Sequence, residues 1–319
     1  MPLRAADLGR RVVVRRRLPD SGPRPRYADV LGELVELDDD TLTVRRRDGE
    51  LVTVARAEIV AAKPVPPQAR RRWPDDRRLG EVAALGWQAL ESERLGDWLL
   101  RASHGFTGRA NSLLPLGEPD RPLPAALDFV TRWYAERGLP PLAQVPLPLA
   151  AEVDAALAAA GWRAFNPTDV LVATIDDMLA ACPEQPALGP VHHEHEPSAA
   201  WLASYQYRGR PLPDGAIRVL TNVADPTFAD LADEEGLLGV ARGCVDEGWL
   251  GVTALTVAER ARRRGVARVL MRALALWGRE RGARRVYLQV AEDNAAALGL
   301  YAGLGFITHH RYHYRTLAR

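Results

Sequence analysis

The segment around Gly265 has the residue types and spacing of a phosphate-binding loop. It lies between 249–257, which has the pattern of a strand, and 266–278, which has the pattern of a helix. A short glycine-containing turn that opens a helix directs unpaired backbone N–H groups and the positive end of the helix dipole toward one point. That point suits a pyrophosphate, and the small residues Gly265 and Ala267 leave room for it. The six residues of the candidate loop are Arg262, Arg263, Arg264, Gly265, Val266 and Ala267.

A second group of candidate residues follows one strand later. Residues 286–290 have the pattern of a buried strand, and 294–304 form a helical pattern that contains Asn294 and Leu300-Tyr301 and ends before Gly305-Phe306. This order resembles a motif of the GNAT superfamily of N-acyltransferases. The preceding Arg262-x-x-Gly265-x-Ala267 resembles the Arg/Gln-x-x-Gly-x-Gly/Ala loop of the same superfamily.

The resemblance covers roughly residues 190–319 and implies an acyl-CoA-dependent N-acyltransferase. It implies acetyl-CoA as co-substrate, no metal, and direct attack of a neutral amine on the thioester. By the same resemblance the loop holds the coenzyme A pyrophosphate, Asn294 contacts the pantetheine arm, and Tyr301 protonates the leaving thiolate as general acid. Positioned acid catalysis contributes about 10²–10⁴-fold. The backbone amides that the family uses to hold the acyl carbonyl fall at Leu255, Thr256 and Val257.

Each candidate residue also has a purely structural interpretation. Tyr301 fits a core or rim tyrosine, and Arg263 and Arg264 fit a solvated face. Asn294 fits a helix N-cap, because Asn is a preferred capping residue. Asp246-Glu247 precedes the central strand, where a carboxylate can relay the amine proton, but a solvated turn is the preferred interpretation. The general base is therefore left unassigned.

An internal repeat predicts that the GNAT-like fold occurs twice. Residues 133–138 match 277–282 at an offset of 144, Gln144-Val145 matches Gln289-Val290 at 145, and 160–162 matches 304–306 at 144. The same offset places the phosphate loop on Glu118–Pro124, an acidic, proline-rich stretch, and Tyr301 on Leu157. We therefore predict a degenerate GNAT-like domain over 67–185 and a catalytic domain over 186–319, both of mixed α/β fold.

The N-terminal residues 1–66 have the pattern of a small all-β domain. Strand-like runs occupy 11–15, 29–37, 41–45 and 51–54, and Asp48-Gly49 lies between the last two. Asp-Gly between strands is a strong hairpin signal. The domain resembles SH3-like or Sm-like barrels, and 61–67, with three prolines, is predicted to be a stiff linker.

Composition limits the other classes of function. Of the 319 residues, 42 are Lys or Arg and 41 are Asp or Glu, and all the basic residues except Lys63 are arginine. This preference for arginine over lysine extends along the whole chain, so a run of arginines is weak evidence for nucleic-acid binding. No apolar run approaches the ~20 residues of a membrane span, and the N-terminus lacks the pattern of a secretory signal. We expect a cytoplasmic protein without membrane or nucleic-acid partners.

The identity of the acceptor, the oligomeric state and the choice among alternative functions stay open at this level. The acceptor is expected to be a small-molecule or peptide amine, and the oligomeric state is unknown. A metal site is not expected at His192-His193-Glu194-His195-Glu196, because adjacent residues of an extended segment point to opposite faces; a solvated loop or the start of a strand is the preferred interpretation. The alternative functions are an acyl-CoA-sensing regulator that recruits a partner through the barrel, and a barrel that binds RNA or a ribosomal surface.

Overall fold

The computed structural model describes residues 3–4, 7–18, 26–46, 49–64, 73–205, 212–213 and 215–317. The chain forms two compact units, Met1–Trp73 and Pro74–Arg319. The predicted boundary at 185/186 falls inside the second unit. No helix in the described ranges is long and apolar enough to span a membrane.

The N-terminal unit is a five-stranded antiparallel sheet in the order β4-β3-β2-β1-β5. Its strands are β1 Arg11–Arg17, β2 Tyr27–Leu37, β3 Thr41–Arg45, β4 Leu51–Ala55 and β5 Ile59–Pro64. Val12, Val14, Leu34 and Val44 form the buried centre of its core. The linker prediction was wrong for 61–64, which pair with β1 as part of β5. Residues 65–67 of that linker, and Asp48 of the predicted turn, lie outside the described residues.

The second unit alternates helices and strands. Its first half contains α1 Asp76–Leu85, β6 Glu91–Leu95, β7 Trp98–Ala102, β8 Leu114–Pro115, α2 Leu123–Glu136, β9 Leu142–Leu147, α3 Ala151–Ala159, β10 Trp162–Thr174 and α4 Ile175–Ala181. Its second half contains β11 His192–Glu194, α5 Ala199–Ser204, α6 Ala216–Thr221, β12 Pro226–Asp233, β13 Gly236–Asp246, β14 Trp249–Val257, α7 Val266–Glu280, β15 Arg285–Ala291, α8 Ala295–Ala302 and β16 Ile307–Leu317.

Eight of these strands form one sheet in the order β11-β12-β13-β14-β15-β10-β16-β9, and β6, β7 and β8 form a separate three-stranded sheet. Leu270 and Leu274 of α7 pack in one core with Val286 and Leu288 of β15. A separate core contains Trp87, Trp201, Phe228 and Val240. β12 and β13 each contribute to both cores, with Phe228 and Val240 in one and Ala229 and Leu238 in the other, so the sheet is buried on both faces, as expected for an α/β layer structure.

The two halves exchange their last strands. β10 of the first half pairs with β15 of the second, and β16 of the second pairs with β9 of the first. Gln144 lies opposite Tyr314, and Gln289 lies opposite Val170. The repeat offsets of 145 and 144 convert one of these pairs into the other, so the register supports the predicted duplication. Each half therefore depends on the other for a complete sheet.

This exchange predicts how fragments of the chain behave. We expect residues 74–319 to fold alone, because this unit has its own cores. We expect residues 186–319 to aggregate, because removal of β10 leaves the facing edges of β15 and β16 unpaired. Gel filtration and thermal unfolding followed by circular dichroism check both expectations. A monodisperse 186–319 fragment with a cooperative transition would contradict the second one.

Candidate active site

The central feature of the second half is a gap between two parallel strands. β14 and β15 are paired from Trp249/Arg285 to Gly251/Tyr287. Beyond that point β14 continues to Val257 and β15 to Ala291, with no further pairing between them among the described residues. The facing backbone edges therefore retain donors and acceptors that an inserted amide-containing chain can satisfy.

A β-bulge lies on β14 at the start of this gap. In the β13–β14 ladder Arg242 pairs with Thr253 and Val240 with Thr256, so Ala254 and Leu255 together oppose one residue. Ala254 has φ +56°, which is uncommon for a non-glycine residue. Bulges re-aim the backbone beside active sites. The amides predicted to hold the acyl carbonyl, 255–257, begin within this bulge.

The predicted phosphate loop connects β14 to α7, as the sequence indicated. A short 3₁₀ turn over Glu259–Ala261 leads to Gly265, which is the N-cap of α7 and supplies no capping side chain. The first N–H groups of a helix have no intrahelical acceptor, so they remain available to an anion. All three arginines of the loop have exposed side chains: Arg262, Arg263 and Arg264.

The backbone conformation of the protein itself favours glycine at position 265. Its φ is +87°, and a Cβ added there would lie 2.3 Å from Oε1 of Gln185. A bulky substitution at Gly265 would therefore strain the fold, so it is a poor probe of coenzyme binding. Ala267 lies in the first turn of α7 with a half-buried side chain, and it is a better position to test.

Asn294 follows β15 on the other side of the gap. Its exposed side chain caps α8, with Oδ1 accepting the backbone N–H of Ala297 at 3.1 Å. The structural interpretation of Asn294 as an N-cap is thus confirmed. Its contact with a pantetheine arm stays a prediction.

Tyr301 lies on α8 and is 8% exposed. Its ring centroid is 5.6 Å from that of Phe306, and no residue in the described ranges hydrogen-bonds its hydroxyl. Burial raises the pKa of Tyr301 to about 12. The phenol therefore keeps its proton at neutral pH, which is the state that a general acid needs and a general base cannot use.

Comparison with known proteins identifies the family. Residues 74–315 match the family described as "Probable histone acetyltransferase Rv0428c C-terminal". The chain belongs to this family of GNAT acetyltransferases. Residues 6–63 match "Rv0428c N-terminal Sm-like domain". The predicted superfamily, mixed α/β fold class and small N-terminal barrel are confirmed, the barrel being of the Sm-like kind.

Relatives from two bacteria match most of the chain. The "Probable histone acetyltransferase Rv0428c" of Mycobacterium tuberculosis is 34% identical over 96% of this chain and 94% of its own length. The "Uncharacterized N-acetyltransferase YobR" of Bacillus subtilis is 29% identical over 76% of this chain and 98% of its own length. A solved GCN5-related N-acetyltransferase from Kribbella flavida superposes with a TM-score of 0.57 at 15% identity, covering 76% of this chain and 95% of that one. This structural likeness concerns the fold.

The first half of the acetyltransferase unit lacks the corresponding loop. α2, which the repeat aligns with α7, begins after Pro122 and carries Pro124 in its first turn, where a backbone donor is missing. Leu157, the counterpart of Tyr301, is fully buried in the apolar core of that half. These features support the degenerate nature of the first half.

Sequence reasoning missed Arg242, which lies on one face of the sheet in β13. Arg242 is fully buried, and it donates from Nε to Leu220 O at 2.7 Å and from Nη1 to Gly86 O at 3.1 Å. Its guanidinium also lies 5.0 Å from the ring centroid of Trp87, and its Nη2 has no partner among the described residues. A single charge inside the apolar run 237–245 was the available signal.

The structure also bears on two further side chains, Cys244 and the Glu247 considered above. Burial raises the pKa of the Cys244 thiol, which lies 3.4 Å from Gly86 O, so this cysteine is not a reactive nucleophile. Glu247 has φ +50° in the turn before β14 and forms a salt bridge with Arg78. That turn is at the opposite end of β14 from the bulge, so Glu247 is not placed to act on an amine at the gap.

Proposed function

We propose that this protein transfers the acetyl group of acetyl-CoA to a primary amine by direct attack. The observation that supports this most strongly is the gap between β14 and β15. The bulge at Ala254 and the open N-terminus of α7 belong to its β14 side, and α8, which carries Tyr301, follows β15. An extended pantetheine arm fits unpaired strand edges, and a pyrophosphate fits a helix N-terminus.

Each element of the gap has a role in the proposed reaction. The amine nitrogen forms a bond to the acyl carbon as the carbon–sulfur bond breaks. Backbone amides of 255–257 stabilise the negative charge that develops on the carbonyl oxygen. The Tyr301 hydroxyl donates its proton to the departing coenzyme A thiolate. The proton lost by the amine passes to water, and water returns a proton to the Tyr301 phenolate, so the tyrosine is neutral again at the end of the cycle.

The class of acceptor follows from the family. The name of the M. tuberculosis relative, a probable histone acetyltransferase, directs the first choice to a protein or peptide amine. The lysine side chain is the primary amine that proteins present most often on their surface. Small-molecule amines are the second class to test.

An acceptor screen tests this function. The full chain is incubated with acetyl-CoA and either lysine-containing peptides, polyamines or amino sugars, and released thiol is followed together with the acetylated product by mass spectrometry. Amine-dependent thiol release that matches product formation supports the proposal. Tight acetyl-CoA binding without turnover on any amine would favour the acyl-CoA-sensing alternative instead.

A further inference from the structure

Three metal-ligating side chains converge away from the β14–β15 gap. Asp76 lies in the first turn of α1, and His309 and His310 lie on β16. The two Nδ1 atoms of the histidines are 2.8 Å apart, and Oδ1 of Asp76 lies 3.4 Å from His309 Nδ1 and 3.7 Å from His310 Nδ1. Ligand atoms around a tetrahedral Zn²⁺ are about 3.3 Å apart, given bonds of about 2.0–2.2 Å. The three atoms therefore have the spacing of one coordination sphere.

A β-bulge explains how two neighbouring histidines face the same way. Successive side chains of a regular strand point to opposite faces. In the β10–β16 ladder Val170 pairs with His310 and Leu171 with Thr308, which leaves His309 as an extra residue. A bulge of this kind re-aims a side chain. The alternation rule that argued against metal binding by adjacent histidines elsewhere in the sequence does not apply at this position.

The hydrogen bond of His309 fixes which nitrogen is free. Its Nε2 lies 2.8 Å from the carbonyl oxygen of Pro74, which can only accept, so Nε2 carries the proton. His309 Nδ1 then presents a lone pair toward Asp76, whose carboxylate also only accepts. Metal-binding histidines commonly donate their second ring N–H to a carbonyl in this manner. Without a cation, His310 Nδ1–H can donate to this lone pair at 2.8 Å, which leaves the Asp76 carboxylate with no hydrogen-bond donor among the described residues; a cation between the three atoms satisfies all of them.

Burial makes this arrangement costly without a cation. The side chains of His309 and His310 are 6% and 5% exposed, and that of Asp76 is 22% exposed. Within the described ranges no arginine or lysine forms a salt bridge with Asp76. The carboxylate is thus partly removed from water, with the two imidazoles and the like-charged Asp75 as neighbours of its charge.

We propose that Asp76, His309 and His310 bind a divalent transition metal ion, with Zn²⁺ as the first choice. Two imidazoles and one carboxylate form a borderline ligand set that suits Zn²⁺, with water at the fourth position. The ion joins the first helix of the acetyltransferase unit to its last strand. β16 is separated from β14 by two strands, so the metal stabilises the fold and takes no part in acetyl transfer.

Metal titration of the full chain tests the site. After treatment with a chelator, Zn²⁺ is titrated in competition with a chromophoric chelator, and thermal unfolding is measured with and without Zn²⁺. We expect one ion bound per chain and a melting temperature that rises with Zn²⁺ concentration, because the ion binds the folded state. Asp76→Asn and His309→Gln should each weaken Zn²⁺ binding by at least about 10-fold. If both variants bind Zn²⁺ as tightly as the unmodified chain, the proposal is overturned.

A control variant and a second measurement complete the test. His195 has an exposed side chain 3.6 Å from Asp225, so His195→Gln should leave the Zn²⁺ affinity unchanged. If only the His195→Gln variant loses the bound ion, the metal binds in the histidine segment 192–195, and the assignment is overturned. Co²⁺ added to the unmodified chain should give visible absorption bands of a four-coordinate nitrogen and oxygen site. A Co²⁺ spectrum identical to that of the hydrated ion would show that the cluster shares a proton instead of a metal.

Discussion

Tyr301→Phe is expected to lower the rate of acetyl transfer by about 10²–10⁴-fold. The substitution removes the proposed proton donor and keeps the ring that packs beside Phe306. Because no described residue hydrogen-bonds the Tyr301 hydroxyl, its loss leaves no buried polar group unsatisfied. We therefore expect little change in the melting temperature or in the Kd for coenzyme A. Single-turnover measurements isolate the chemical step from product release.

The matched control for this experiment is Tyr134→Phe. Tyr134 is fully buried, and its hydroxyl donates to Arg101 O at 3.1 Å and accepts from Arg101 N–H at 3.4 Å. Its loss should cost about 1–3 kcal/mol of stability, because buried backbone groups of Arg101 lose their partner, and should leave the transfer rate unchanged. If Tyr301→Phe carries out the chemical step at the unmodified rate, the tyrosine serves packing only and the thiolate leaves without its help.

The pH profile gives an independent check on Tyr301. Burial raises its pKa to about 12, so the acid stays protonated through the neutral and moderately alkaline range. Transfer should therefore show no loss between pH 7 and about pH 10 that depends on Tyr301. The rate could instead fall near the ordinary tyrosine pKa of about 10, and this fall could disappear in Tyr301→Phe. Such a result would contradict the raised pKa of Tyr301.

The sequence predicted the elements whose signals are local. The turn at Gly265, the helix after it and the Gly-aromatic step at Gly305-Phe306 are encoded within a few residues, and the structure contains them in that order. The repeat was also readable, because the register of Gln144 and Gln289 reproduces its offsets. Short-range conformational preferences and hydrophobic periodicity are sufficient for features of this kind.

Features that depend on pairing between distant segments were not predictable. The insertion of β10 between β15 and β16, and the addition of β5 to the barrel, are decided by which edges meet in three dimensions. The bulges at Ala254 and His309 arise from ladder register, which a pattern in one strand does not contain. The approach of the Gln185 side chain to Gly265 is another long-range effect, whereas the φ of +87° at Gly265, which already makes a substitution there a poor test of the loop, is local.

Ala267→Glu is expected to weaken coenzyme A binding by about 10²-fold. In a helix the Cα–Cβ bond tilts toward the N-terminus, so a side chain in the first turn of α7 points toward the proposed pyrophosphate position. Two unit charges about 5 Å apart at an effective dielectric of about 20 repel by roughly 3 kcal/mol, which corresponds to about two orders of magnitude in Kd. The carboxylate also competes for the helix N–H groups that the pyrophosphate needs.

The same substitution is expected to preserve the fold, which separates binding from stability. An acidic residue in the first turn of a helix is favourable to the helix by about 0.3–1 kcal/mol, so the melting temperature should be equal or higher. Ala267→Gln is the control, because it adds the same bulk without the charge and should retain more of the affinity. Calorimetric titration with coenzyme A at low and high salt measures the difference, which should shrink as salt screens the repulsion. Equal affinities for the Glu and Gln variants at low salt would mean that the phosphates bind elsewhere, and the N-terminus of α7 would lose its assigned role.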